Sequence, residues 1–147
     1  SKRRIVLSKT KKIGLPPGPL MGKLQKGKKI MVNGKIISPD DVAVSVEGKK
    51  ITYITDTAIC KSCFELAKKS DLLIAESTYD SKFENKAREY KHMTASQAAS
   101  IASKSESKML ILTHFSQRFK TTTNLVKEAR RIFKKTISAK DFMKIKL

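Results

Sequence analysis

The sequence predicts an α/β fold, either a sheet with helices packed on one face or α and β elements in layers. Two observations lead to this class. Residues 1–48 combine short apolar runs with hairpin turns, whereas residues 49–147 alternate apolar runs with helix-like segments. A chain of 147 residues is long enough to bury a core. We therefore expect one domain, with loops and hairpins in residues 1–48 and strand and helix repeats in residues 49–147.

The first part of the chain is rich in turn signals. Residues 1–12 are basic and lack a helix cap, which predicts an entry strand or an arm. Residues 14–19 contain three prolines and two glycines, so this stretch should be irregular. Asn33-Gly34 between two apolar triplets predicts a hairpin with a type I′ turn. A second hairpin is expected from residues 42–46 through Glu47-Gly48 into residues 49–55.

The second part alternates strands and helices. Strands are predicted over residues 71–76 and 108–113, with a closing strand or hairpin over residues 136–147. Helices are predicted over residues 60–69, 81–90, 94–103 and 123–135, and Thr94 is a candidate N-cap.

Three apolar runs end in a residue that can perform acid, base or metal chemistry. The run at residues 51–55 is followed by Asp56, the run at 72–75 by Glu76, and the run at 109–113 by His114. Sites in sheets wound with helices lie beyond the carboxyl ends of the strands. The three residues therefore predict one site, and a carboxylate with an imidazole is a familiar ligand pair for zinc.

Each of these residues also has a purely structural interpretation. Asp56 is equally typical of a helix N-cap or a turn, and His114 could be a core histidine with satisfied hydrogen bonds. His92 is the other histidine of the chain and precedes a predicted helix. A carboxylate such as Glu76 could fix its tautomer for proton transfer, but the spacing alone does not pair Glu76 with His92.

Two further motifs leave alternatives open. Cys60 and Cys63 have C-x-x-C spacing without the second ligand pair of a zinc knuckle, so they indicate a redox centre or a helix with two small residues. Ser116, Arg118 and Lys120 precede a threonine run at the start of a helix. They could contact phosphate there, or the threonines could cap the helix beside a solvated basic loop.

Charge and composition restrict the class of protein. Lys and Arg number 32 against 13 Asp and Glu, a formal net charge of +19. Such an excess favours a polyanionic partner, although a highly soluble basic surface is the alternative. We expect no membrane partner, because no apolar run approaches the length of a membrane span. Two cysteines give no disulfide framework, which favours the cytoplasm.

Six short motifs together resemble ribonuclease Z, the tRNA 3′-processing endoribonuclease family with a metallo-β-lactamase fold. They follow the family's order over nearly the whole chain: GPLMGKL (18–24), ITYITDT (51–57), AEST (75–78), HMTA (92–95), LTHFS (112–116) and AKDFM (139–143). The resemblance implies half of an αββα sandwich and a catalytic site with two zinc ions.

The resemblance also implies roles for single residues. Asp56 looks like the carboxylate that bridges two zinc ions, and His114 looks like the last histidine ligand. His92 is similar to the proton donor near the scissile phosphate, with Glu76 as its supporting carboxylate. The loop at residues 18–23 looks like an element on the substrate side. Three residues match a motif near the end of the acceptor stem of the substrate: Ala139, Asp141 and Met143.

The sequence lacks the family's His-x-His-x-Asp-His motif. The resemblance therefore implies that the chain is the C-terminal half of the enzyme, either a fragment or a chain completed by another. The expected partners are a tRNA precursor, the missing N-terminal half and a second copy in a homodimer. We expect the isolated chain to have little or no activity. The alternatives are another phosphodiesterase of the same fold and a non-catalytic basic RNA-binding fragment.

Overall fold

The computed structural model describes residues 2–147 and divides into two compact units. The first unit ends at Gly48, and the second comprises Lys49–Leu147. In the described residues no helix is both long and apolar enough to cross a membrane.

The first unit consists of two strand pairs and three short helices. Its elements in chain order are β1 (Lys2–Ile5), α1 (Leu7–Lys12), α2 (Pro19–Gln25), β2 (Ile30–Val32), β3 (Lys35–Ile37), α3 (Pro39–Val42) and β4 (Ala43–Val46). Strands β2 and β3 form the predicted hairpin, and both Asn33 and Gly34 have positive φ as a type I′ turn requires. A small core fills this unit: Leu15, Leu24, Ile30, Ile37 and Val42.

Three expectations for this unit were wrong in whole or in part. Strand β4 pairs antiparallel with β1, so the second hairpin into residues 49–55 does not exist. The entry strand expected in residues 1–12 is present at Lys2–Ile5, but residues 7–12 form helix α1, which has no side-chain cap and buries Thr10. Most of the expected loop at residues 18–23 belongs to α2, which starts with Pro19 at its first position, where a missing N–H costs nothing.

The second unit is a parallel sheet with crossover helices. Its elements are β5 (Ile51–Ile54), α4 (Lys61–Ala67), β6 (Leu72–Glu76), a 3₁₀ turn (Ser81–Phe83), α5 (Glu84–Glu89), α6 (Ala95–Lys104), β7 (Leu110–Thr113), α7 (Thr123–Ile132) and β8 (Thr136–Ser138). The strand order is β5-β6-β7-β8, and all three pairings are parallel. The α/β class is thereby confirmed, with β8 as a single closing strand.

One face of this sheet is covered by helices. Leu73 and Leu112 belong to a core that includes Ala98 of α6 and Leu125 of α7. The alanines of α6 are completely buried, which lets this helix approach its neighbours closely. Thr94 caps α6 as expected, since its side chain accepts the Gln97 N–H and the Gln97 side chain accepts the Thr94 N–H.

The edge strand β5 is less covered. Ile51 and Tyr53 alternate with buried Thr52 and Ile54 and are 58% and 60% exposed. Leu66 of α4 is also largely exposed. The second unit therefore leaves apolar side chains uncovered on β5, on the side opposite to Thr52 and Ile54, and on α4.

Candidate metal centre

The carboxyl ends of four parallel strands meet at one edge of the sheet. Because β5, β6, β7 and β8 run in the same direction, the residues that follow them share this edge. Asp56 comes after β5, Glu76 ends β6, His114 follows β7, and Ala139 follows β8.

Four side chains converge there. Asp56, Glu76, His92 and His114 each offer a ligand atom within 4.8 Å of those of the other three. The structure thus brings together Asp56, Glu76 and His114, which lie at strand ends, and His92, which lies in a loop.

His92 reaches the edge through a loop that follows α5. The backbone N–H of His92 donates to Ala87 O at 2.7 Å, and the next residues run beside the segment after β6. Tyr79 N–H donates to Met93 O and Ala95 N–H to Tyr79 O, which forms a parallel bridge. This bridge holds His92 close to Glu76.

Glu76 is completely buried and its oxygens are fully used. Oε2 accepts the Met93 N–H at 3.0 Å and the Thr78 hydroxyl at 2.8 Å, while Oε1 accepts the Thr57 N–H. His92 Nδ1 lies 3.2 Å from Oε2. A carboxylate with this many donors serves as an internal anchor, so Glu76 is poorly suited to be a metal ligand despite its proximity.

Thr78 connects Glu76 to His114. Its Oγ1 lies 2.8 Å from Glu76 Oε2, 2.9 Å from His114 Nδ1 and 3.0 Å from the His114 carbonyl oxygen. Donation to the carboxylate is the strongest of these bonds, and Oγ1 then accepts a hydrogen from Nδ1 of the neutral His114 ring. The Nε2 lone pair of His114 is then left for a ligand.

Asp56 is the exposed carboxylate of the group. Its side chain is 74% exposed, and Oδ1 lies 3.6 Å from His92 Nδ1. The N-cap interpretation of Asp56 is wrong, because the residue before α4 is Cys60. Both Asp56 and His114 have a left-handed backbone, with φ of 56°, which is uncommon outside glycine and is tolerated best by Asp, Asn and His.

The carboxylate oxygen of Asp56 and the imidazole nitrogen of His114 suit a borderline-soft divalent cation such as zinc. They account for only part of the four ligands that zinc requires. Among residues 2–147 this is the single cluster of three or more groups of metal-ligating type. The donor set therefore fits a metal in part.

The remaining predicted substrate residues come after β7 and after β8 in the chain. Ser116 N–H donates to Thr78 O, and Arg118 Nε donates to Ser116 Oγ at 3.1 Å. The Arg118 guanidinium lies 5.1 Å from the ring of Tyr79 and 4.6 Å from that of Phe83. Lys120, Asp141 and Met143 are exposed.

Sequence reasoning missed several of these residues. Thr78 stands two positions after Glu76, and the two-residue period of extended chain would have placed both side chains on one side. Tyr79 and Phe83 give no comparable signal, because their contact with Arg118 joins segments far apart in the sequence.

The threonine run before α7 was expected either to cap this helix or to lie beside a phosphate site. Thr122 precedes α7 without a side-chain capping bond.

Comparison with known proteins identifies the class. Residues 37–115, more than half of the chain, match the family described as "Beta-lactamase superfamily domain". The chain therefore belongs to the β-lactamase superfamily. The metallo-β-lactamase fold protein YhfI from Bacillus subtilis is similar in structure, with a TM-score of 0.56 and 28% identity over 61% of this chain and 36% of that one.

Within this class the chain is similar to ribonuclease Z. It is 42% identical to ribonuclease Z of Picosynechococcus sp. and 41% identical to that of Methanothermobacter thermautotrophicus, over 95% and 98% of this chain. The short form of human tRNase Z has a TM-score of 0.51 and 30% identity, over 74% of this chain and 35% of that one. The chain spans about half the length of the curated relatives it matches, 46% and 47% for the two named.

Proposed function

We propose that this chain supplies part of the active site of a metal-dependent endoribonuclease that removes 3′ trailers from tRNA precursors by phosphodiester hydrolysis. The observation that supports this most strongly is the convergence of Asp56, Glu76, His92 and His114 at one sheet edge, in a chain similar to ribonuclease Z. Zinc requires more ligands than these residues provide. The rest of the site is therefore proposed to come from an N-terminal half, in the same chain or another.

Asp56 and His114 are the proposed metal ligands. The Asp56 side chain is exposed at this edge of the sheet. The hydrogen bond between Nδ1 of His114 and Thr78 leaves Nε2 of His114 available to a metal. When bound there, zinc would supply Lewis acidity for the phosphodiester and its attacking water. The proposal includes two zinc ions in the complete enzyme.

His92 is the proposed proton donor to the leaving oxygen. Its Nδ1 lies 3.2 Å from Glu76 Oε2, and a carboxylate at this nitrogen keeps Nδ1 protonated and leaves Nε2 to exchange a proton. Glu76 itself is held by Thr57, Thr78 and Met93. Glu76, fixed by these three hydrogen bonds, thus orients the ring of His92.

The proposed substrate surface surrounds this edge. Arg118 is held against Tyr79 and Phe83 next to Ser116, where it could contact phosphate, and Lys120 follows it. The net charge of +19 suits a folded RNA that is recognised largely through its backbone. Three further residues are proposed to lie near the end of the acceptor stem: Ala139, Asp141 and Met143. A homodimer and a cytoplasmic location belong to the same proposal.

The experiment is a chimera in which this chain replaces the matching residues of the Picosynechococcus ribonuclease Z. We expect the chimera to cleave a 3′-extended tRNA precursor and the isolated chain to be inactive. Loss of a residue behind a metal ligand already costs about 10- to 100-fold, so His114→Ala should lose at least about 100-fold. Gln117→Ala, an exposed neighbour in the same loop, is the matched control and should retain activity.

The same assay separates the competing functions. Full activity of the His114→Ala chimera would overturn the proposal. Hydrolysis of bis(p-nitrophenyl) phosphate without cleavage of the tRNA precursor would indicate a phosphodiesterase with another substrate. Binding of the precursor without cleavage or metal uptake would indicate a non-catalytic RNA-binding protein.

A further inference from the structure

Two thiols face each other at the start of helix α4. Cys60 Sγ and Cys63 Sγ are 3.5 Å apart and are not bonded to each other. Cys60 is exposed, whereas Cys63 lies behind it and is only 5% exposed. A disulfide requires about 2 Å between the sulfurs, so a small rotation of the side chains would bring them into bonding distance.

The surroundings of the pair give a small molecule access to it. A cavity of about 330 Å³ opens beside both cysteines and is also lined by Tyr53, Thr57 and Leu66. The cavity is lined by residues of both β5 and α4, and Tyr53 among them is largely exposed. An attacking thiol at the surface with a resolving thiol beneath it is the arrangement needed for thiol–disulfide exchange.

We propose that Cys60 and Cys63 form a reactive dithiol that is reversibly converted to an intramolecular disulfide by low-molecular-weight disulfides, with Cys60 as the attacking and Cys63 as the resolving residue. A metal is the poorer occupant of this pair. Two thiolates are too few for a structural zinc site, and the one cluster of three or more ligand groups in residues 2–147 does not include them.

The steps balance without another reactant. The Cys60 thiolate attacks one sulfur of the small disulfide, whose S–S bond breaks and releases one thiol. Cys63 then loses its proton and attacks Cys60 Sγ, which breaks the mixed disulfide and releases the second thiol. Two protein thiols are oxidised to one disulfide while one small disulfide is reduced to two thiols.

The different surroundings of the two sulfurs support this order. The backbone N–H of Cys63, and then its thiol, lower the pKa of Cys60, which favours the attacking thiolate. Burial raises the pKa of the Cys63 thiol, which suits the residue that attacks second.

The test uses the full 147-residue chain, reduced and then incubated with glutathione disulfide near pH 8. Mass spectrometry should show the loss of two hydrogens from the protein, and two thiols should be released per chain. Dithiothreitol should reverse the reaction. A chain that stays reduced, keeps a stable glutathione adduct or forms intermolecular disulfides would overturn the proposal, and circular dichroism confirms that the sample is folded.

Two variants test the order of attack. Cys63→Ser should stop at a mixed disulfide with glutathione on Cys60, and Cys60→Ser should react at least about tenfold more slowly, because Cys63 is covered. Ser62→Ala changes the exposed residue between them and should react like the unchanged chain. Equal rates for Cys60→Ser and the unchanged chain would overturn the assignment of the attacking residue.

Discussion

Two residues of the candidate metal centre have a left-handed backbone. Asp56 and His114 follow parallel strands and both have φ of 56°. A left-handed residue close to the end of a strand changes the direction of the chain. Such conformations cost free energy and persist where the surrounding structure holds them. The conformation and the proposed ligand role therefore place separate demands on the same two residues.

Substitutions at Asp56 should separate these two demands. Asparagine tolerates the left-handed conformation but has no charge, so Asp56→Asn should leave the free energy of unfolding within about 0.5 kcal/mol. It should also weaken zinc binding by the chimera at least about tenfold, because loss of a group that only supports a metal ligand already lowers the affinity about 10- to 100-fold. Isothermal titration calorimetry measures the affinity and urea denaturation the stability.

Two comparisons support this reading of Asp56. Asp56→Ala should add roughly 1 kcal/mol of backbone strain, and Asp40→Asn, which changes an exposed aspartate of the first unit, should alter neither quantity. Unchanged zinc affinity in Asp56→Asn would contradict the ligand role.

Glu76 should matter for stability as well as for catalysis. The buried carboxylate accepts hydrogen bonds from Thr57, Thr78 and Met93, so the amide of Glu76→Gln would point its N–H₂ at a donor. A buried polar group left without a partner costs about 1–3 kcal/mol. Urea denaturation should therefore show a loss of that size.

The control for Glu76 is Glu89→Gln, at an exposed position of α5. Its free energy of unfolding should change by less than about 0.5 kcal/mol. If both variants were equally stable, the anchoring role of Glu76 would be refuted.

At the scale of elements, a single carboxylate joins two helices of the second unit. Glu128 of α7 accepts hydrogen bonds from the N–H and hydroxyl of Ser96, at the start of α6, and from those of Ser81. Burial works to raise its pKa, but these donors outweigh it and lower the pKa below the ordinary 4.5. The charged carboxylate therefore stabilises the contact between α6 and α7.

This contact should make stability depend on pH. A group whose pKa is lowered by folding contributes stability above its unfolded pKa and loses it as the pH falls through the folded value. The free energy of unfolding should therefore fall below about pH 4.5, and Glu128→Gln should make this fall shallower. Urea denaturation at several pH values measures both curves, and parallel curves would count against the role of Glu128.

Local patterns predicted those elements whose signals lie within a few residues. The hairpin at Asn33-Gly34 and the cap at Thr94 depend on short-range chemistry, and the apolar runs of β6 and β7 are bounded by turn signals. The partner of β4 could not be predicted in the same way. Its alternating pattern suits any neighbour, and the one it has, β1, lies at the other end of the unit.

The candidate site was predictable to a similar degree. The three strand ends could be placed on one edge because a parallel sheet aligns its carboxyl ends. The spacing of the residues did not pair Glu76 with His92, and only the family resemblance implied the pair. In the structure the pair depends on the bridge between Tyr79 and Thr94, a long-range contact. The bonds of Thr78 depend on the same tertiary arrangement.

For the whole molecule, the chain spans about half the length of the curated relatives it matches, and the proposed function assigns it one part of a site. The proposed ligands and proton donor all belong to the second unit. Zinc should therefore bind more tightly to the chimera than to the isolated chain, because only the former can complete four-fold coordination. Equilibrium dialysis against zinc compares the two, and equal affinity would contradict a shared site.

The exposed edge of β5 has a consequence for the colloidal behaviour of the isolated chain. Ile51 and Tyr53 of this strand, together with Leu66 of α4, offer an apolar surface for self-association, while a charge of +19 keeps the molecules apart. Salt shortens the range of this repulsion to about 8 Å at physiological ionic strength. Light scattering of the chain should therefore rise with added sodium chloride, and Tyr53→Lys should delay the rise to higher salt.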